Sequence, residues 1–112
     1  MDETLLCCDG SSRGNPGQAG YGFVVRIHTG VFVYAESGGL GILSNFIAKF
    51  IACVSAMEWA INNQRYKVIL QTDSKACVVA LMNNKIPWFL VARCRELLQV
   101  FILFVIDKFI EK

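Results

Sequence analysis

Between Gly10 and Gly20 the chain carries four glycines and one proline. A stretch of that kind cannot sustain a helix or bury a row of side chains, so it predicts a loop. Before it lies a short apolar segment, Thr4-Leu5-Leu6-Cys7-Cys8, which reads as a buried strand ending at Asp9. After it, Tyr21 to Ile27 reads as a second strand, and His28-Thr29-Gly30 as a hairpin loop into a third strand over 31–36. Consecutive strands joined this tightly pair as an antiparallel meander.

Gly38, Gly39 and Gly41 mark the break into helix. Ser44 is a predicted N-cap, and residues 45–62 place Ile47, Phe50, Ile51, Val54, Met57 and Ile61 at helical spacing. Asn62-Asn63 ends that helix, and Tyr66 to Gln71 reads as a fourth strand. Thr72 or Asp73 is expected to cap a second helix running to about Met82, and Pro87 to open a third. The apolar segment 102–106 reads as a fifth strand. The order βββαβααβ predicts a mixed α/β (α+β) fold in which a meander is joined to parallel strands by helices.

At 112 residues, 54% of them hydrophobic, positions 1–112 form a single domain with ample core material, and disorder is excluded. The net charge of +2 excludes a simple polycationic tether but permits a local basic face. The apolar run Val100 to Ile106 is far too short to cross a bilayer, and Asp2 and Glu3 stand where a signal peptide would be basic. An intracellular protein, nuclear or cytoplasmic and not secreted, is the expectation. The five cysteines show no CxxC spacing and are expected to be reduced and buried.

Asp9 and Asp73 each follow a predicted strand, and the C-terminal ends of neighbouring parallel strands converge in space. Two carboxylates held together repel one another, and so favour a shared proton or a hard divalent cation. Such a pair suits metal-assisted phosphodiester hydrolysis. The plainer reading of Asp73 alone is a helix cap. His28, the only histidine, sits in a predicted hairpin turn and is not expected to act as base or ligand. The glycine-rich loop lacks the Gly-Lys-Ser/Thr ending of a P-loop and the dinucleotide-binding spacing. Trp59 and Trp88 are expected in or around the core.

Asp9-Gly10-Ser11-Ser12-Arg13-Gly14-Asn15-Pro16-Gly17, followed by Ala19-Gly20-Tyr21-Gly22, resembles the opening of the ribonuclease H type 1 family, nearest its plant retroelement branch. Ser44-Asn45-Phe46-Ile47-Ala48 is similar to that family's first helix start, Thr72-Asp73-Ser74-Lys75 to its second Asp motif, and Pro87-Trp88 to a feature of the plant branch. The resemblance spans nearly the whole chain. It implies a five-stranded mixed sheet flanked by helices, with a three-strand antiparallel meander and two parallel strands. It further implies Mg²⁺- (or Mn²⁺-) dependent cleavage of the RNA strand of an RNA–DNA hybrid. By position, Asp9 and Asp73 match metal-binding catalytic carboxylates, and Ser12, Asn15, Ser44, Asn45 and Lys75 match nucleic-acid contacts. Small polar groups and close backbone approach suit the wide minor groove of a hybrid.

Two departures alter the expectation. Where the family has a catalytic Glu after the helix-start Ala, this chain has Lys49. Glu58 cannot replace it, because nine residues of helix turn it about 900°, onto the opposite face. It is read as a solvated residue. At the other end, Phe104 to Lys112 resembles the strand leading to the family's histidine turn, with Lys108 in the histidine's place. The C-terminal helix and its fourth carboxylate are missing, so the domain is expected to be truncated; Asp107 falls in or beside the strand and does not replace that group. These losses predict weak metal binding, little or no hydrolysis, and an ion pair of Lys49 with Asp9 and Asp73. A non-catalytic interaction module or a retroelement-derived fragment is the alternative. The uncovered sheet face would then invite self-association or a protein partner. Arg13, Lys75, Lys85, Arg93 and Arg95 form either a basic rim along a hybrid groove or scattered surface charge.

Overall fold

The structure is a computed structural model and describes residues 3–83 and 85–94 together with the backbone of residues 102–106. Strands β1 (Thr4–Gly14), β2 (Gly17–Ile27) and β3 (Phe32–Leu43) form the meander, and α1 (Asn45–Asn62) follows. Next come β4 (Val68–Thr72), α2 (Lys75–Met82), a 3₁₀ turn over Trp88–Leu90, α3 (Val91–Cys94) and β5 (Ile102–Ile106). The sheet has five strands in the order β3-β2-β1-β4-β5. The β1–β2 and β2–β3 pairs are antiparallel, whereas β1–β4 and β4–β5 are parallel. This is the mixed sheet expected from the order of elements.

Period-two alternation sets the buried face of the sheet. Leu6 and Cys8 of β1, Phe23 and Val25 of β2, and Val68 and Leu70 of β4 are buried on the side that meets α1. From α1 the core receives Phe50, Ile51, Val54 and Met57, with Ile47 and Ile61 packed at its margin. Ala48, Ala52, Cys53, Ala56 and Ala60 of α1 are buried as well, and α2 also packs against this helix. Cys8, Cys53, Cys77 and Cys94 are buried thiols. A hydrogen bond with Cys53 and burial together push the Cys77 thiol well above its ordinary pKa, so it stays protonated. Among the described residues no helix is long and apolar enough to cross a membrane.

Four sequence expectations need correction. Residues 10–20 are not a loop: β1 and β2 pair down to Gly14↔Gly17, leaving a two-residue turn at Asn15-Pro16, whose peptide bond is cis. Gly14 turns the corner at φ +89°, and a side chain at Gly17 would run into the Arg13 carbonyl. Gly38, Gly39 and Gly41 likewise do not break the chain. They lie within β3, where the Tyr21 ring covers the space a Gly38 side chain would need and irregular register absorbs Leu40. The cap of α2 is Ser74, not Thr72 or Asp73, with Ser74 Oγ accepting from Cys77 N–H at 3.2 Å. Trp88 is 85% exposed, because Leu90 and Cys94 anchor that segment in the core instead. Pro87 does open a helical turn, but the later part of the predicted third helix, with Arg95, lies outside the described residues.

Ser44 caps α1 as expected, its Oγ accepting from Ile47 N–H at 3.2 Å. Ser44→Ala orphans that donor and is expected to cost about 1 kcal/mol. Thermal unfolding followed by circular dichroism should show a midpoint about 4 °C lower.

Candidate nucleic-acid interface and carboxylate pair

Parallel pairing of β1 with β4 brings Cys7 opposite Gln71, so the two strands run out side by side toward Asp9 and Asp73. Ser74 is the N-cap of α2, and Asp73 stands directly before it. Asp9 extends from the strand while its own Oδ1 accepts from Gly10 N–H at 2.8 Å. Above them runs the first turn of α1. Gly10 lets it come close, since a Cβ there would sit 2.5 Å from the Ala48 carbonyl carbon and 2.8 Å from the Lys49 nitrogen.

That approach delivers Lys49 between the carboxylates. Its Nζ donates to Asp9 Oδ1 at 2.8 Å and to Asp73 Oδ1 at 3.0 Å. The Asp9 side chain is 75% exposed, so its half of the bridge adds little stability; Lys49 and Asp73 are more sheltered, at 21% and 25%. Partial burial works to lower the Lys49 pKa, but hydrogen bonds and charge from Asp9 and Asp73 outweigh it and hold the ammonium above its ordinary value of 10.5. A cation raised in this way contributes stability below 10.5 and loses it as pH climbs through the higher folded value. Stability attributable to this bridge should therefore be flat between pH 6 and 9 and decline only in stronger alkali. Chemical denaturation carried beyond pH 10.5 tests the sign.

A second cluster stands beside the pair, where the β1–β2 hairpin meets the start of α1. Asn45 Oδ1 accepts from Ser12 N–H at 2.7 Å and from Ser12 Oγ at 3.2 Å, and Asn45 N–H donates to Asn15 Oδ1 at 2.9 Å. Ser12 Oγ also bonds the Gly14 carbonyl. Thus Ser12, Asn15 and Asn45 form one corner with Ser44, the α1 cap, next in chain to Asn45. Lys75 opens α2, two residues beyond Asp73. Along the sheet, an open trough of about 1120 Å³ leads to the pair, lined by Cys7, Ser11, Gly20, Gly22, Ala35 and Ser37.

Other expectations resolve differently. Glu58 does not lie alone in solvent: it takes a bidentate bond from Arg93, at 2.6 and 3.0 Å, while Arg93 also reaches Ser55 Oγ at 3.3 Å. This removes Arg93 from a simple basic rim. Asp107 and Lys108 lie outside the described residues. One polar group escaped sequence reasoning, the Glu36 carboxylate held by Tyr21 at 2.7 Å and Tyr34 at 3.0 Å. Accepting from both phenols, it raises their pKa values above 10.0. Only the strand register, which sets Glu36 opposite Phe23, reveals this grouping.

Residues 7–107 match the reverse transcriptase-like family. The chain belongs to it. Several solved structures share the fold described above. RNase H1 from the halophilic archaeon Halobacterium salinarum is 28% identical, with a TM-score of 0.79 over 95% of this chain and 87% of its own. The N-terminal RNase H domain of Rv2228c from Mycobacterium tuberculosis is 25% identical, also at 0.79, over 93% and 86%. The full bifunctional protein Rv2228c is 37% identical over 77 residues, 68% of this chain but 21% of its own length. The chain thus spans about a fifth of that relative. LC11-RNase H1, solved in complex with an RNA/DNA hybrid, has the same fold at a TM-score of 0.73 and 23% identity, over 96% and 89%. The domain is therefore ribonuclease H-like.

Do the residues present suit the divalent metal such a domain would use? One oxygen of each carboxylate, Asp9 Oδ1 and Asp73 Oδ1, already shares the Lys49 ammonium, which occupies the place a cation would take and repels one that approaches. Among the described residues no three His, Cys, Asp or Glu side chains are grouped to hold a metal ion. This donor set does not fit a catalytic metal.

Proposed function

We propose that this domain binds RNA–DNA hybrid without cutting it efficiently, using the Ser12–Asn15–Asn45 corner for recognition and Lys49 in place of metal charge. The observation that carries this reading is the double ion pair of Lys49 with Asp9 and Asp73. Two bare carboxylates would repel a polyanion, and one ammonium between them cuts that repulsion by half. Binding then needs no Mg²⁺, and Mg²⁺ or Mn²⁺ binds weakly. The corner supports the other half of the reading. It presents small polar groups and backbone on a rigid hairpin, the chemistry that reads a minor groove by shape and 2′-hydroxyls. A fold neighbour solved with an RNA/DNA hybrid points to the same ligand class.

The test is anisotropy of a fluorescent RNA–DNA hybrid, in EDTA and in Mg²⁺, with duplex DNA of the same sequence as competitor. The expected result is salt-dependent hybrid binding of equal strength in both buffers, preferred over duplex DNA. A parallel gel should show intact RNA. Robust cleavage that EDTA abolishes would overturn the reading, and so would equal affinity for duplex DNA. Asn45→Ala removes the acceptor that holds Ser12 and is expected to weaken hybrid binding about tenfold, a loss near 1.4 kcal/mol.

A further inference from the structure

Pro87-Trp88 has no part in the site described so far. Trp88 is the most exposed large apolar residue described, at 85%, and Phe89 beside it is 47% exposed. Their rings meet edge to face, 5.6 Å between centroids at 79°. The segment beneath them is fixed. Leu90 N–H bonds the Pro87 carbonyl at 2.9 Å, Leu90 and Cys94 are buried, and Arg93 is fastened to Glu58 and Ser55 of α1. An indole held out on so rigid a base loses little conformational freedom when it binds.

Charge narrows what it binds. From Ser74 to Arg95 the sequence has no Asp or Glu and, beyond the Arg93 that Glu58 neutralises, it carries Lys75, Lys85 and Arg95, in a chain whose total is only +2. An aromatic platform within an acid-free basic stretch suits a polyanion whose units carry flat rings. The bases inside a hybrid are already stacked on one another, so only an unpaired base can offer its face. The stretch begins directly after Asp73 in sequence.

We propose that Trp88 is a stacking platform for an unpaired base in a single-stranded extension of the nucleic acid, with Lys75 and Lys85 drawing in its phosphates. This rests on the hybrid-binding reading given above and adds a second contact to it.

Three fluorescent probes separate the two: a blunt RNA–DNA hybrid, the same hybrid with a single-stranded DNA extension, and the free single strand. The native chain should bind the extended probe about 5- to 100-fold more tightly than the blunt one, as one stacked base allows. Trp88→Ala should erase that gain and leave blunt affinity unchanged, while Trp88→Phe keeps most of it. In a Trp59→Phe background, the extension should quench the remaining indole. Equal affinity of the native chain for blunt and extended probes overturns this inference alone. No binding to the blunt hybrid overturns the hybrid reading, and quenching by the free single strand then still reports on Trp88. An indole that no nucleic acid quenches would make this patch a protein-docking anchor, and the inference falls.

Discussion

Lys49→Glu is expected to give this domain a site that takes up Mg²⁺ or Mn²⁺. The substitution replaces the cation bridging Asp9 and Asp73 with a third carboxylate, moving the charge of the trio from −1 to −3. Two unit charges 4 Å apart interact by about 4 kcal/mol at an effective dielectric constant of 20. Even a third of that for each unit of change, at 1.4 kcal/mol per decade, raises divalent affinity by about a hundredfold. Titration calorimetry measures it directly.

The same variant carries its own control. Without metal, three carboxylates crowd one strand end, so the variant should melt below the native chain in EDTA and recover on adding Mg²⁺. The native chain should show no such recovery. If Lys49→Glu binds Mg²⁺ no better than the native chain, Lys49 is not what excludes the metal. Any gain in EDTA-sensitive hybrid cleavage would show that the remaining machinery is intact. The Ser12–Asn15–Asn45 corner should be undisturbed, because these residues are joined to each other rather than to Lys49.

How much of this was legible beforehand depends on the range of the interactions. Helix α1 was read over its full span because its signals are local: Ser44 at the cap, apolar residues at helical spacing, and paired asparagines at the end. The antiparallel pairing of the first three strands followed from their short connections. The glycine-rich stretches were misread for a physical reason. A glycine that breaks a chain and a glycine that makes room for a neighbour look the same in sequence, and at Gly10, Gly17 and Gly38 the neighbour arrives from elsewhere in the fold. The α2 cap was missed because Thr72, Asp73 and Ser74 are all capable residues, and only the geometry selects Ser74. Arg93 and Glu58 lie 35 residues apart, beyond any local pattern. Strand-end convergence paired Asp9 with Asp73, and only family resemblance added Lys49. The structure then supplies the distances.

Gly10 shows how tightly fold and site are joined, and Gly10→Ala should have the largest effect on stability of any substitution considered. The added methyl would overlap the Ala48 carbonyl and stand 2.8 Å from the Lys49 nitrogen. These are helix backbone atoms, so no side chain can swing aside and α1 itself has to move. Ala48, Phe50 and Ile51 are buried along the same helix, so any shift also opens the core. The expected cost is about 3 kcal/mol, the upper end of ordinary overpacking, or more. A fall in melting temperature exceeding about 10 °C should accompany it. The movement would also carry Lys49 away from Asp9 and Asp73. Whatever fraction stays folded should lose the double ion pair, detectable as altered chemical shifts of the Lys49 ammonium and both carboxyl groups. A variant as stable as the native chain would mean that β1 and α1 do not approach as closely as Gly10 permits. A one-methyl change at a strand residue that carries no charge should thus disturb the site almost as much as replacing a charged group within it.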